Sequence, residues 1–304
     1  MKELVTIMND NLQVEVSPVV GASIYSMRFN QGGDWVDIMR PTPKEALTNE
    51  DVGEFASFNL FPYSNRIENA VLKFKGEEYQ LEVNFDDGHA IHGEAWTRPW
   101  QVIEADEQKV VLEFKSSTFE DITWPFPFSA KIEYSLEGKS FIVKTSIKNE
   151  GKELMPAGMG IHPYFMRSIS GSGEKVKLDM ETIGLYPGET QIPTGHWVET
   201  PEKWDFTGES ELSREFLDNC FRAGTGPITI TWPESNLEMV IERDKIFKHV
   251  VIYCPTGEEF FALEPVTNCN NGFNMAEEGI EDTGIIELEP AEEVVGDIKF
   301  TIID

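Results

Sequence analysis

The feature that most constrains the fold of this chain is a period-two alternation of apolar and polar residues, repeated in short runs along its length. Residues 12–16, 131–136, 141–147, 176–180 and 228–232 alternate in this way, and 237–241, 249–253 and 298–303 carry the pattern toward the C-terminal end. Such alternation puts every second side chain on one face, so each run reads as a strand with one buried side. The runs are rich in β-branched and aromatic residues, and turn formers such as Glu137-Gly138-Lys139, Glu150-Gly151-Lys152 and Pro255-Thr256-Gly257 separate them. Helical patterning is scarce. Residues 210–217 predict two turns with Ser210 as N-cap, and 43–47 predict one. Many strands with almost no helix predict an all-β fold, an antiparallel β-sandwich or barrel. No low-complexity linker and no internal repeat divides the 304 residues, so a single domain over 1–304 is expected.

Charge narrows the partners. Against 25 Lys+Arg stand 54 Asp+Glu, a formal net charge of -29. A surface that acidic repels nucleic acid and anionic membrane and disfavours a highly charged anionic substrate. No apolar run approaches the roughly 18 residues of a membrane span. The opening Met1-Lys2-Glu3-Leu4-Val5 lacks the basic and apolar regions of a signal peptide. A cytoplasmic protein with neither nucleic acid nor membrane as partner is expected, as a monomer or homodimer. The three cysteines, Cys220, Cys254 and Cys269, are odd in number and without CxxC spacing, so neither a disulfide framework nor a zinc site is suggested.

Several stretches carry candidate chemistry. In Met159-Gly160-Ile161-His162-Pro163-Tyr164-Phe165 the one group that ordinarily titrates near neutral pH is His162, and Pro163 biases it to extended backbone. Alone, His162 reads equally as a core histidine bonded to a carbonyl. Arg66, between Asn65 and Ile67, must be paired or face a ligand; an ion pair with Glu68 or another acid is the simpler account. His89 and His92 lack further ligands at metal spacing. Trp96 and Trp100 suit a sugar platform or an ordinary core. Asp218, between Leu217 and Phe221, is a turn former or a hydrogen-bond acceptor for a ligand, and Asp205 is the weaker case of the same kind. Glu264 follows four apolar residues, 260–263; burying it unpaired would raise its pKa toward that of a general base. Its structural alternative is a salt bridge to Arg66.

Asn65-Arg66-Ile67, Ile91-His92-Gly93, Gly160-Ile161-His162-Pro163-Tyr164-Phe165, Asp205-Phe206 with Leu217-Asp218-Asn219-Cys220-Phe221, and Leu263-Glu264-Pro265 occur in that order. Together they resemble the aldose 1-epimerase (galactose mutarotase) family, and Ser17-Pro18-Val19-Val20-Gly21-Ala22-Ser23-Ile24 resembles its opening strands. The resemblance implies a large antiparallel β-sandwich of the galactose-mutarotase type, with no metal or organic cofactor and a small-molecule sugar as substrate. It implies Glu264 as general base at the anomeric hydroxyl, His162 as general acid at the ring oxygen and His92 beside both. Arg66 and Asp218 would bind sugar hydroxyls, with Asn65 fixing the arginine. Two departures bear on the substrate rather than the reaction. Gly93-Glu94 stands where these enzymes often have Gly-Gly, and His162-Pro163-Tyr164-Phe165 is closer to a bacterial side branch. A phosphorylated or sulfonated hexose, bound by residues such as Arg28, Lys73 or Arg98, and a non-catalytic carbohydrate-binding module are the alternatives.

The residue types suit that reaction on chemical grounds. Opening a hemiacetal removes one proton from O1 and delivers one to O5, and rotation about C1–C2 lets the same pair work in reverse. A carboxylate and an imidazolium, expected on opposite sides of one sugar, do this near neutral pH.

Overall fold

The alternating runs become strands. The computed structural model describes residues 4–169, 173, 175–188 and 190–304, so the Met1-Lys2-Glu3 part of the N-terminal reading lies outside them. Every strand pair is antiparallel, and two large sheets result. The first runs in the order Val5–Met8, Leu12–Ser17, Ser23–Gln31, Ser57–Leu60, Gly160–Met166, Phe260–Val266, His249–Cys254, Leu217–Ala223 and Thr182–Leu185, with Asp34–Asp37 paired to Ser23–Gln31. The second runs Ser210–Glu211, Lys177–Asp179, Ile228–Trp232, Leu237–Arg243, Glu293–Ile303, Ser140–Asn149, Phe128–Glu137, Lys109–Lys115 and Gln101–Ala105. The expected all-β, antiparallel architecture is what the chain adopts.

The sheets meet through aromatic layers. Phe165 of the first lies 6.1 Å, ring centre to ring centre, from Phe300 of the second, and Phe300 stacks on Phe141 at 6.0 Å. A smaller buried cluster, including Phe58, Tyr164, Val251 and Ala262, covers the opposite face of the first sheet. The centre of that sheet is therefore buried on both sides.

Residues 210–217 do not form the expected helix. Ser210–Glu211 is a short edge strand, and Leu217 opens the strand Leu217–Ala223. Ladder bonding decides the outcome: Asp218 pairs with Tyr253 and Phe221 with Val250, while the Leu212 N–H donates to the Val176 carbonyl. Tertiary pairing overrides a short helical pattern. The turn expected at 43–47 is present as the helix Lys44–Asn49, and a second short helix, Gly272–Glu277, was not foreseen.

Candidate active site

Strand register assembles half of the site. The pairs Gly160 with Val266 and Tyr164 with Ala262 set a register that brings His162 opposite Glu264. On the other sides, His162 pairs with Phe58 and Glu264 with Val251. Two residues along, on the same face, Tyr164, Ala262, Tyr253 and Asp218 form the next row. Between the two anchor pairs the ladder is interrupted, where Pro163 and Pro265 lack the N–H a central strand supplies. Side chains bond there instead: His162 Nε2 lies 3.1 Å from Glu264 Oε1. The two groups are neighbours on one wall, not facing each other across a gap as the sequence suggested.

Ring packing fixes the imidazole. Phe58 stacks on His162 with centroids 4.4 Å apart, and Tyr164 covers it at 4.5 Å. Behind Tyr164 the Arg40 guanidinium sits 3.9 Å from the ring centre, donating to the Gly53 and Phe55 carbonyls.

The segment between the Ser57–Leu60 and Gln101–Ala105 strands supplies the other half. His92 adopts φ +63 and Gly93 φ +83, and a Cβ on Gly93 would stand 1.9 Å from the Phe61 carbonyl oxygen. Glycine is required there, and the left-handed His92 stores strain of about 1 kcal/mol or more. His92 Nδ1 donates to the Ser64 carbonyl at 3.1 Å, leaving Nε2 an acceptor. Asn65 Oδ1 accepts from the Arg66 backbone N–H at 2.8 Å, so it fixes the arginine's main chain. The guanidinium is held by Asp87: Arg66 Nε donates to Oδ2 at 2.7 Å, while Asp87 Oδ1 accepts from the His89 N–H at 3.1 Å. The expected ion pair of Arg66 thus forms with an acid other than Glu68, namely Asp87 in the loop 82–88, and not with Glu264.

Phe58, Arg66, His92, His162, Asp218 and Glu264 line one cavity of about 350 Å³, with His92, His162 and Glu264 buried and Asp218 half-buried. Burial pushes the Glu264 carboxyl well above its ordinary range, with Asp218 adding to the shift and Arg66 opposing it. Burial likewise holds His162 well below the usual imidazole value, helped by His92. Both groups favour their uncharged forms, so the pair keeps one proton between them. Burial brings His92 down to about 3, the Ser64 carbonyl opposing and Arg66 assisting. Burial raises the Asp218 carboxyl against the pull of Arg66. Glu264 Oε2 and His162 Nδ1 are buried with no hydrogen-bond partner among the described residues.

All six expected site residues, Asn65, Arg66, His92, His162, Asp218 and Glu264, line this cavity. Trp96 lines it too, whereas Trp100 is core and donates to the Ala95 carbonyl. Asp205 is a turn former, accepting from Thr182 and Thr207 outside the cavity. His89 accepts from the Asn69 N–H and is not a cavity residue. Glu94 turns away, its Oε1 accepting from Thr123 and Trp124. Among the described residues no group of three or more His, Cys, Asp or Glu side chains is placed to hold a metal ion.

Residues 3–301 match the family model described as aldose 1-epimerase. The chain belongs to the aldose 1-epimerase family. Among its relatives is protein YphB of Escherichia coli K12, 24% identical over 282 residues that span 89% of this chain and 91% of that one. A galactose mutarotase-like protein from Clostridium acetobutylicum superposes with a TM-score of 0.86 at 21% identity, covering 98% of this chain and 94% of that one. A GalM/aldose epimerase homologue from C. elegans gives 0.84 at 18%, covering 100% and 99%. These structural likenesses carry the fold, and membership of the aldose 1-epimerase family supports an epimerase-type enzyme. No helix among the described residues is long and apolar enough to cross a membrane.

Proposed function

We propose that this protein is a mutarotase that interconverts the α and β anomers of a neutral hexose. The observation that carries the reading is the buried Glu264–His162 pair, 3.1 Å apart on the cavity floor, where burial raises the carboxyl and lowers the imidazole. O1 and O5 of a pyranose are bonded to the same carbon, so the groups that serve them need to be neighbours. With the proton on His162, the Glu264 carboxylate takes the O1 proton, the imidazolium gives its own to O5 and the C1–O5 bond breaks. The open-chain aldehyde then faces a neutral acid and a neutral imidazole. Burial favours that proton arrangement, which is also the one in which the pair rests without sugar. The step that precedes ring opening is therefore transfer of the proton from Glu264 to His162 along their hydrogen bond. Rotation about C1–C2 and the reverse transfers close the other anomer.

The remaining residues position the sugar. Neutral His92, with Nδ1–H committed to Ser64, accepts from a sugar hydroxyl through Nε2 and cannot donate to O5. Arg66, braced by Asp87, donates to hydroxyls, and Asp218 accepts from them. An anionic sugar is not favoured. Arg66 is the cation lining the cavity among the described residues, while Lys73 pairs with Glu278 and Arg98 with Asp121 elsewhere. Polarimetry on fresh α-glucose and α-galactose tests the reading: purified protein is expected to speed equilibration of at least one. An unchanged rate across a panel of neutral hexoses and reducing disaccharides of them would overturn it.

A further inference from the structure

Of the chain's 20 phenylalanines, only Phe85 and Phe216 are exposed among the described residues, at 46% and 55%. Single exposed apolar side chains are ordinary, but these two come from distant segments and line the same cavity. Each is seated on a residue of the site: Phe85 lies 5.4 Å from the Arg66 guanidinium, and Phe216 meets Tyr253 edge-on at 6.3 Å. The cavity therefore grades with depth. Glu264, His162 and His92 lie buried at its floor, Trp96 and Tyr253 are half-buried, and the two phenylalanine rings stand at its mouth.

Resting on the mutarotase reading, we infer that the substrate is the reducing end of a disaccharide or longer glycan, its second sugar stacked by the C–H face on Phe85 and Phe216. The chemistry fixes the direction. C1 must reach Glu264 and His162 at the floor, so C4, the ring atom across from C1, points outward. A 1,4-linked glycan with a free reducing end extends through the mouth between the exposed rings. A volume of about 350 Å³ falls in the range of pockets that enclose ligands larger than one small ring.

Two-dimensional exchange NMR of the anomeric protons tests this with glucose and galactose against maltose, lactose and β-1,4-galactobiose. The expected result is a higher kcat/KM for at least one disaccharide than for its own reducing-end hexose. Phe85→Ala and Phe216→Ala are each expected to lower the disaccharide value about two- to tenfold, with a smaller loss on the free hexose. Both positions are exposed, so folding is a minor risk, checked by circular dichroism. Free hexoses as good as every disaccharide, or equal losses on both, would overturn the inference and leave the mutarotase reading intact. No exchange with any of the five sugars would instead remove the mutarotase reading.

Discussion

The second sheet and the centre of the first are both built of antiparallel strands, yet they meet water differently. In Phe128–Glu137 and Glu293–Ile303 buried side chains interleave with exposed or half-buried ones. In Ser57–Leu60, Gly160–Met166 and Phe260–Val266 nearly every side chain is buried. A polar residue on a one-sided strand simply faces solvent. On a two-sided strand it must find a partner, and where it keeps an unpartnered atom it points to a ligand. Thr145, buried in the second sheet, donates to the Gly296 carbonyl at 3.2 Å. Glu264 and His162, at the centre of the first, share one hydrogen bond and keep Oε2 and Nδ1 without partners.

The sharpest way to separate the two regions is a pair of substitutions. Phe141→Ala, in the inter-sheet core, is expected to cost about 3–5 kcal/mol of stability in a denaturant melt while leaving the rate per folded molecule near normal. Glu264→Gln should do the opposite. Its unfolded carboxyl ionises near the ordinary 4.5, whereas the folded one does so at a well-raised value. Between those values the folded chain holds a proton that the unfolded chain has lost, so the stability from this group is present at low pH and lost as pH rises through the folded value. Thermal melts should thus find Glu264→Gln at least as stable as the parent at pH 7, with the gap widening toward higher pH. A large destabilisation would make Glu264 an architectural residue and erase the contrast.

Arg66→Ala is expected to raise KM about tenfold or more with a smaller change in kcat, since it removes hydroxyl contacts rather than a proton carrier. Asp87→Asn should raise KM by less, because it loosens the guanidinium without deleting it. Equal kcat losses in both variants would place Arg66 in the proton transfers instead. A further effect concerns acid. His92, held near 3, and His249, near 4, join His162 in lying below the ordinary imidazole value of 6.5. The unfolded chain takes up these protons first, so stability falls as pH drops from about 6.5 toward 3. His92→Gln should flatten part of that fall in melts across this range, and an unchanged slope would show that His92 is not buried neutral.

The strand pattern was legible because residues 131–136 and 298–303 lie on one-sided strands, where solvent enforces alternation. Glu264 and His162 stood out for the converse reason: a lone ionisable group in an apolar run has few structural explanations. Asp87 was illegible, since an acid in a polar loop looks like any solvated residue until the fold brings Arg66 to it. Residues 210–217 misled because Leu212 and Phe216 stand at helical spacing. In the fold Leu212 goes into the core and Phe216 to the cavity mouth, an outcome decided by partners distant in sequence.

The most direct test of the central claim is anomeric exchange measured by NMR for the parent and for Glu264→Gln at equal folded concentration. The account predicts exchange accelerated by the parent and reduced about 10²- to 10⁴-fold in the variant, with the fold retained. A folded Glu264→Gln protein that exchanges anomers as fast as the parent would contradict it.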